Sequence, residues 1–96
     1  MDLYELRQQY KAIVDTFSGL KRHINVEKIK SDIAALELEM TKDGFWSDQR
    51  KAKKVIDQAN RLKNIIETLE SVEAQIEDIE TGFELAQEEE EADFYH

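Results

Sequence analysis

"TKDGFWSDQRKAKK" occupies residues 41–54 and joins two helix-like patterns. It is a polar stretch holding one glycine, two large aromatics and a run of bases. Read as more helix, it makes the chain a rod; read as a corner, it lets the chain fold back and share a core. Gly44 takes a left-handed backbone at no steric cost and so ends a helix arriving at Thr41 to Asp43. Ser47 and Asp48 each carry an oxygen able to accept from the open amides of a following helix. Phe45 and Trp46, the latter the single tryptophan of the chain, read either as an anchor folded back over the corner or as an exposed recognition patch. Truncating a buried aromatic costs about 3–5 kcal/mol, a large share of a small domain's stability. That magnitude favours the anchor, with the indole N–H directed to a nearby acceptor. Arg50, Lys51, Lys53 and Lys54 then form the solvated first turns of the next helix. Bases at a helix start oppose its dipole, which is the one local argument for a charged partner at the corner.

Upstream, Leu3, Leu6, Tyr10, Ile13, Phe17 and Leu20 recur at alternating spacings of three and four, with Val14 widening the stripe. This spacing predicts a helix over about 3–20. Continued in phase, the stripe would reach Ile24 and then Glu27 and Ser31. The next apolar set, Val26, Ile29, Ile33, Leu36 and Met40, is two residues out of register. A straight helix would turn that face away from its partner, so the chain breaks across "LKRHIN" (20–25). Asn25 is the cap candidate for a second helix over about 26–41.

Downstream of the corner, Val55, Ala59, Leu62, Ile65, Ile66, Leu69, Val72, Ile76, Ile79, Phe83 and Ala86 form one long periodic set, and the chain has no proline. A helix over about 48–87 would be roughly 60 Å long, against roughly 27 and 24 Å for the first two. The expected fold is all-α: a three-helix antiparallel, coiled-coil-like bundle with two shorter helices on one long one, a single domain over 1–96. Gly82 and the acids at 80, 84 and 88 weaken the last turns. Residues 88–96 read as an acidic, frayed tail, in which Phe94 and Tyr95 begin an unfinished element or offer a partner a foothold.

Charge is uneven. The net charge is −9, yet residues 71–96 alone hold ten acids and no base. Such an end repels a phosphate backbone, so autonomous nucleic-acid binding is not expected. No apolar run approaches the roughly 20 residues of a membrane span, and the N-terminus lacks a signal-peptide pattern. The expected chain is soluble and intracellular.

Catalytic material is absent. There are no cysteines, and the two histidines, His23 and His96, are far apart. His23 reads as a solvated loop residue. Glu73 and Glu77 share a helix face, but a solvated face does not split two carboxylate pKa values. Ser18, Ser31, Ser47 and Ser71 have no adjacent base. No phosphate loop, CxxC or HExxH pattern occurs. No cofactor or metal is expected, and a hydrolase has no supporting residue set.

The run "IAALELEMTKDGFWSDQRKAKKVIDQANRLKNIIETL" (33–69) resembles the N-terminal helical domain of bacterial peptide chain release factors, nearer to release factor 2 than to release factor 1. The likeness rests on Glu37, Glu39, Asp43, Phe45, Trp46, Ser47, Asp48, Ala52 and Lys53, and on "ELAQEEEEADF" (84–94). At "LKRHIN" the chain keeps Leu20, Ile24 and Asn25 but has Arg22 where the family has glycine. The family reads stop codons with a Ser–Pro–Phe motif and releases peptide with a Gly–Gly–Gln motif. This chain has no proline and no adjacent glycines, so neither motif is present. The resemblance implies a cytoplasmic helical domain that helps position a factor on the ribosome, near the large-subunit stalk base, during termination at UAA and UGA codons. The competing expectation is a free-standing helical adaptor for a protein partner, a monomer or a weak dimer.

Overall fold

A computed structural model describes residues 1–95, and His96 lies outside the described residues. The chain is all-α, with three helices and, among the described residues, no strand: α1 (Leu3–Arg22), α2 (Val26–Glu39) and α3 (Gln49–Phe94).

Each helix start is chemically explicit. The Asp2 carboxylate accepts from the Glu5 N–H at 2.8 Å, and the Asn25 side chain accepts from the Lys28 N–H at 3.0 Å. Each bond satisfies an amide that the first helical turn leaves open. Helix α1 ends with Lys21 and Arg22 in its last turn and His23 as its C-cap, where basic side chains suit the dipole. The break between α1 and α2 falls at residues 23–25, where the apolar register slips.

The helices pack as two compact units, one comprising Met1–His23 with Ser71–His96 and the other Ile24–Glu70. In the first, α1 runs antiparallel to the later turns of α3. Arg7 lies over the Phe83 ring at 5.3 Å, the Tyr10 hydroxyl donates to the Ile76 carbonyl at 3.0 Å, and Lys21 pairs with Glu73. Tyr10 and Phe83 also meet with ring centroids 5.3 Å apart. The inward face of α1 is therefore Leu3, Arg7, Tyr10, Val14, Phe17 and Lys21, all half-buried. Leu6, Ile13 and Leu20, expected in the same seam, stay exposed at 45%, 63% and 59%. The seam turns toward positions where Arg7 and Lys21 lay their aliphatic stems along the interface.

In the second unit, α2 runs antiparallel to the early turns of α3. Lys30 and Ile33 lie beside Ile66 and Glu67, and further along α2 Glu37 reaches Lys63 at 3.6 Å. Val26, Ile29, Ile33, Leu36 and Met40 are half-buried, while Ala52, Ala59 and Leu69 of α3 are buried.

The long helix does not stop near residue 87. It continues to Phe94, and the Tyr95 N–H still donates to the Glu91 carbonyl at 3.3 Å. Glutamate, glutamine, leucine and alanine are good helix formers. Mild repulsion between exposed acids four apart, a few tenths of a kcal/mol per pair, does not outweigh that preference. Gly82 lies inside the helix without interrupting it.

Candidate functional site

The corner between α2 and α3 is built by a succession of short backbone bonds. Helix α2 closes with the Met40 N–H donating to the Leu36 carbonyl at 3.2 Å and the Thr41 N–H to that of Leu38 at 3.0 Å. The Thr41 hydroxyl donates to the same Leu38 carbonyl at 2.7 Å. Gly44 then adopts φ +80°, the left-handed conformation that glycine alone reaches without strain. Phe45–Ser47 form one 3-10 turn. The Asp48 carboxylate accepts from the Lys51 N–H at 3.1 Å, and its carbonyl accepts from the Ala52 N–H at 2.9 Å. Asp48, not Ser47, is thus the cap of α3, because the 3-10 turn already holds Ser47.

The turn separates the two aromatics. Phe45 is buried at 7% exposure, whereas Trp46 keeps 63% of its surface in solvent. Their rings meet edge to face with centroids 4.9 Å apart. A tryptophan left open beside a buried phenylalanine presents a rigid apolar plate with a polar N–H, the kind of side chain that dominates protein contacts.

Arg50, Lys51, Lys53 and Lys54 are all exposed on the first turns of α3. Lys53 pairs with Asp57 at 2.6 Å. Lys42 pairs with Glu39 at 2.9 Å. The Lys42 hydrogen bond and charge, with a further contribution from Lys51, hold the Glu39 carboxyl below the usual carboxylate range. Arg50, Lys51 and Lys54 have no ion-pair partner among the described residues. The corner therefore carries an open indole with three uncommitted cations on the adjoining turns.

A shallow recess of about 220 Å³ at the corner is lined by Glu39, Lys42, Asp43, Gly44, Phe45, Asp48 and Lys51. Of its three acids, Glu39 pairs with Lys42 and Asp48 caps α3, and among the described residues no group of three or more His, Asp or Glu could hold a metal ion. No described helix is long and apolar enough to cross a membrane. His23, expected in a loop, is the exposed C-cap of α1. Glu73 is tied to Lys21. The exposure of Trp46 was not readable from the sequence, since two adjacent aromatics carry no signal of which one turns inward.

Residues 29–96 match the family described as the PCRF domain. Peptide chain release factor 2 of Exiguobacterium sp. is 34% identical over 93 residues, covering 97% of this chain and 25% of that protein. Peptide chain release factor 2 of Kosmotoga olearia is 33% identical over 87 residues, 91% of this chain and 24% of the relative. That of Petrotoga mobilis is 31% identical over 84 residues, 88% and 23% respectively. The chain spans about a quarter of the length of these curated relatives. No solved structure matches it.

Proposed function

Because the chain belongs to the peptide chain release factor family through its PCRF domain, we propose that it acts as the N-terminal helical part of a release factor 2-like protein. In that role it positions the factor on the ribosome, near the base of the large-subunit stalk, during termination at UAA and UGA codons in the cytoplasm. The alignment with release factor 2 proteins over nearly all of the chain carries this reading. The piece supplies contact and not chemistry, since neither the Ser–Pro–Phe nor the Gly–Gly–Gln motif occurs in it.

The corner is the contact we assign. Trp46 offers the apolar plate, and Arg50, Lys51, Lys53 and Lys54 supply charge toward an acidic or phosphate-bearing surface. Exposed cations of this kind steer encounter and lose effect as salt rises. The other expectation, a free-standing adaptor, predicts no ribosome association.

Ribosome pelleting of the chain over a salt series tests the proposal. Pelleting that weakens with salt, and weakens further in Trp46→Ala with its helicity intact by circular dichroism, supports it. Pelleting of Trp46→Ala equal to that of the parent removes the corner from the contact. Peptide release by the purified chain on stop-programmed ribosomes would contradict the assignment of a non-catalytic role.

A further inference from the structure

The three exposed residues of α1 that the seam does not use, Leu6, Ile13 and Leu20, are spaced seven apart. They form a stripe about 21 Å long. Ile13, Thr16, Phe17 and Leu20, with Ala12 beside them and Val72 of α3 opposite, line an open apolar groove of about 430 Å³. At about 100° per residue, Gln75, Ile79, Gly82 and Ala86 continue the α3 wall on the side of Val72. Ile79 is itself 48% exposed. Between Glu5 and Lys21 this face carries no charge, in a chain that is 36% charged.

What borders the groove says what fits it. Of the bases of α1, Arg7 lies over Phe83 and Lys21 pairs with Glu73, while Lys11 and Arg22 fall on the opposite side of the helix by the same geometry. On the groove side the rim positions are Glu5 on α1 and Asp78 and Glu89 on α3. Residues 24–70 hold nine acids and nine bases, so the whole net charge of −9 belongs to the unit that carries this groove. A second copy would bring the same acidic excess to within a Debye length of about 8 Å. Self-pairing is disfavoured on that ground.

We infer that this groove is a docking site for an amphipathic protein helix whose apolar stripe is flanked by lysines or arginines. The apolar stripe would enter between α1 and α3 at i, i+3 or i+4, and i+7 spacing, and its flanking bases would meet Glu5, Asp78 and Glu89. The site is distinct from the corner and does not depend on its role.

A labelled synthetic helix of leucine and lysine, about 18 residues long, is titrated with the 96-residue chain by fluorescence anisotropy. A peptide with the same leucines and glutamate in place of lysine is the control. The expected result is saturable binding of the lysine peptide, with the glutamate peptide weaker by about tenfold or more. The double variant Ile13→Gln/Leu20→Gln, which leaves the charge unchanged, is expected to lose a similar factor while keeping its helicity. Should that variant lose helicity, Ile79→Gln on the opposite wall makes the same test. Equal binding of both peptides, or undiminished binding by the variants, would overturn the inference, the latter because it reduces the association to charge alone. A concentration-dependent dimer in sedimentation that excludes the peptide would overturn it too, by giving the groove to a second copy.

Discussion

Phe45 and Trp46 are consecutive and touch edge to face at 4.9 Å, yet Phe45 is buried and Trp46 is exposed. The single 3-10 turn that follows Gly44 divides them. One residue is committed to holding the corner closed, so the other is free to meet a partner without loosening the fold. The arrangement joins a structural anchor to a contact residue through one backbone turn.

The two aromatics should therefore fail differently. Phe45→Ala is expected to cost about 3–5 kcal/mol. Trp46→Ala, from a site 63% exposed, is expected to cost about 1 kcal/mol or less. Urea unfolding followed by circular dichroism separates them. Comparable losses in the two variants would mean that Trp46 helps to hold the corner.

Asp48 and Ser47 make a second contrast. Asp48→Ala removes the acceptor for the Lys51 N–H and should destabilise by about 1 kcal/mol, within the range of 0.5–2 typical of N-caps. Ser47→Ala removes no such bond and should change stability by a few tenths of a kcal/mol at most. The same unfolding measurement ranks the two.

Much of this architecture is legible in the residues, and the illegible parts have physical causes. The two-residue slip between Leu20 and Val26 marks the first break, Asn25 its cap, and Gly44 the second. The periodic set from Val55 to Ala86 marks α3. Counting apolar residues could not say that α1 turns Leu6, Ile13 and Leu20 outward. Arg7 and Lys21 occupy seam positions through a ring contact and an ion pair, and a hydrophobic count scores both as solvent-facing. Nor could the sequence say which corner aromatic is buried, because the answer depends on the φ, ψ angles of a three-residue turn. The continuation of α3 from residue 87 to Phe94 has its cause in the helix preference of the same glutamates whose mutual repulsion argues for fraying.

Glu39 provides a pH test of the corner. The Lys42 hydrogen bond, then the charges of Lys42 and Lys51, lower its folded pKa. The folded state binds fewer protons there than the unfolded one as the group titrates. Its contribution is complete above the unfolded carboxylate pKa and is lost as pH falls through the lowered folded value. Carboxyl chemical shifts followed by NMR should place the Glu39 midpoint below those of solvated glutamates. Lys42→Met should move it upward toward them.

Tyr10 titrates in the opposite sense. Burial first, and then the nearby Glu80 carboxylate, raise its phenol pKa. The folded state therefore holds the proton where the unfolded one releases it. The contribution is present below the unfolded value of about 10 and is lost as pH rises through the folded one. Tyr10→Phe, which also removes the bond to the Ile76 carbonyl, should lower stability near neutrality. Its stability should fall less between pH 9 and about 11 than the parent's does. Parallel slopes in denaturant melts over that range would exclude Tyr10 as the source.

Gly82 gives the sharpest test of how the last turns of α3 are held. It lies in the helix interior, and a Cβ built there meets nothing within 4 Å. Its φ is not positive, since Gly44 is the one described residue with that property. Alanine therefore meets no steric obstacle and reduces the backbone freedom of the unfolded chain. Gly82→Ala should stabilise the unit formed by α1 and the later part of α3 by about 1 kcal/mol. The same change should slow amide exchange downstream, at residues 88–93, where exposed acids four apart repel. If exchange there is unchanged while residues 72–86 are better protected, the terminal turns fray independently of Gly82. Faster exchange on both sides would instead mean that the glycine relieves a strain along α3 that alanine restores.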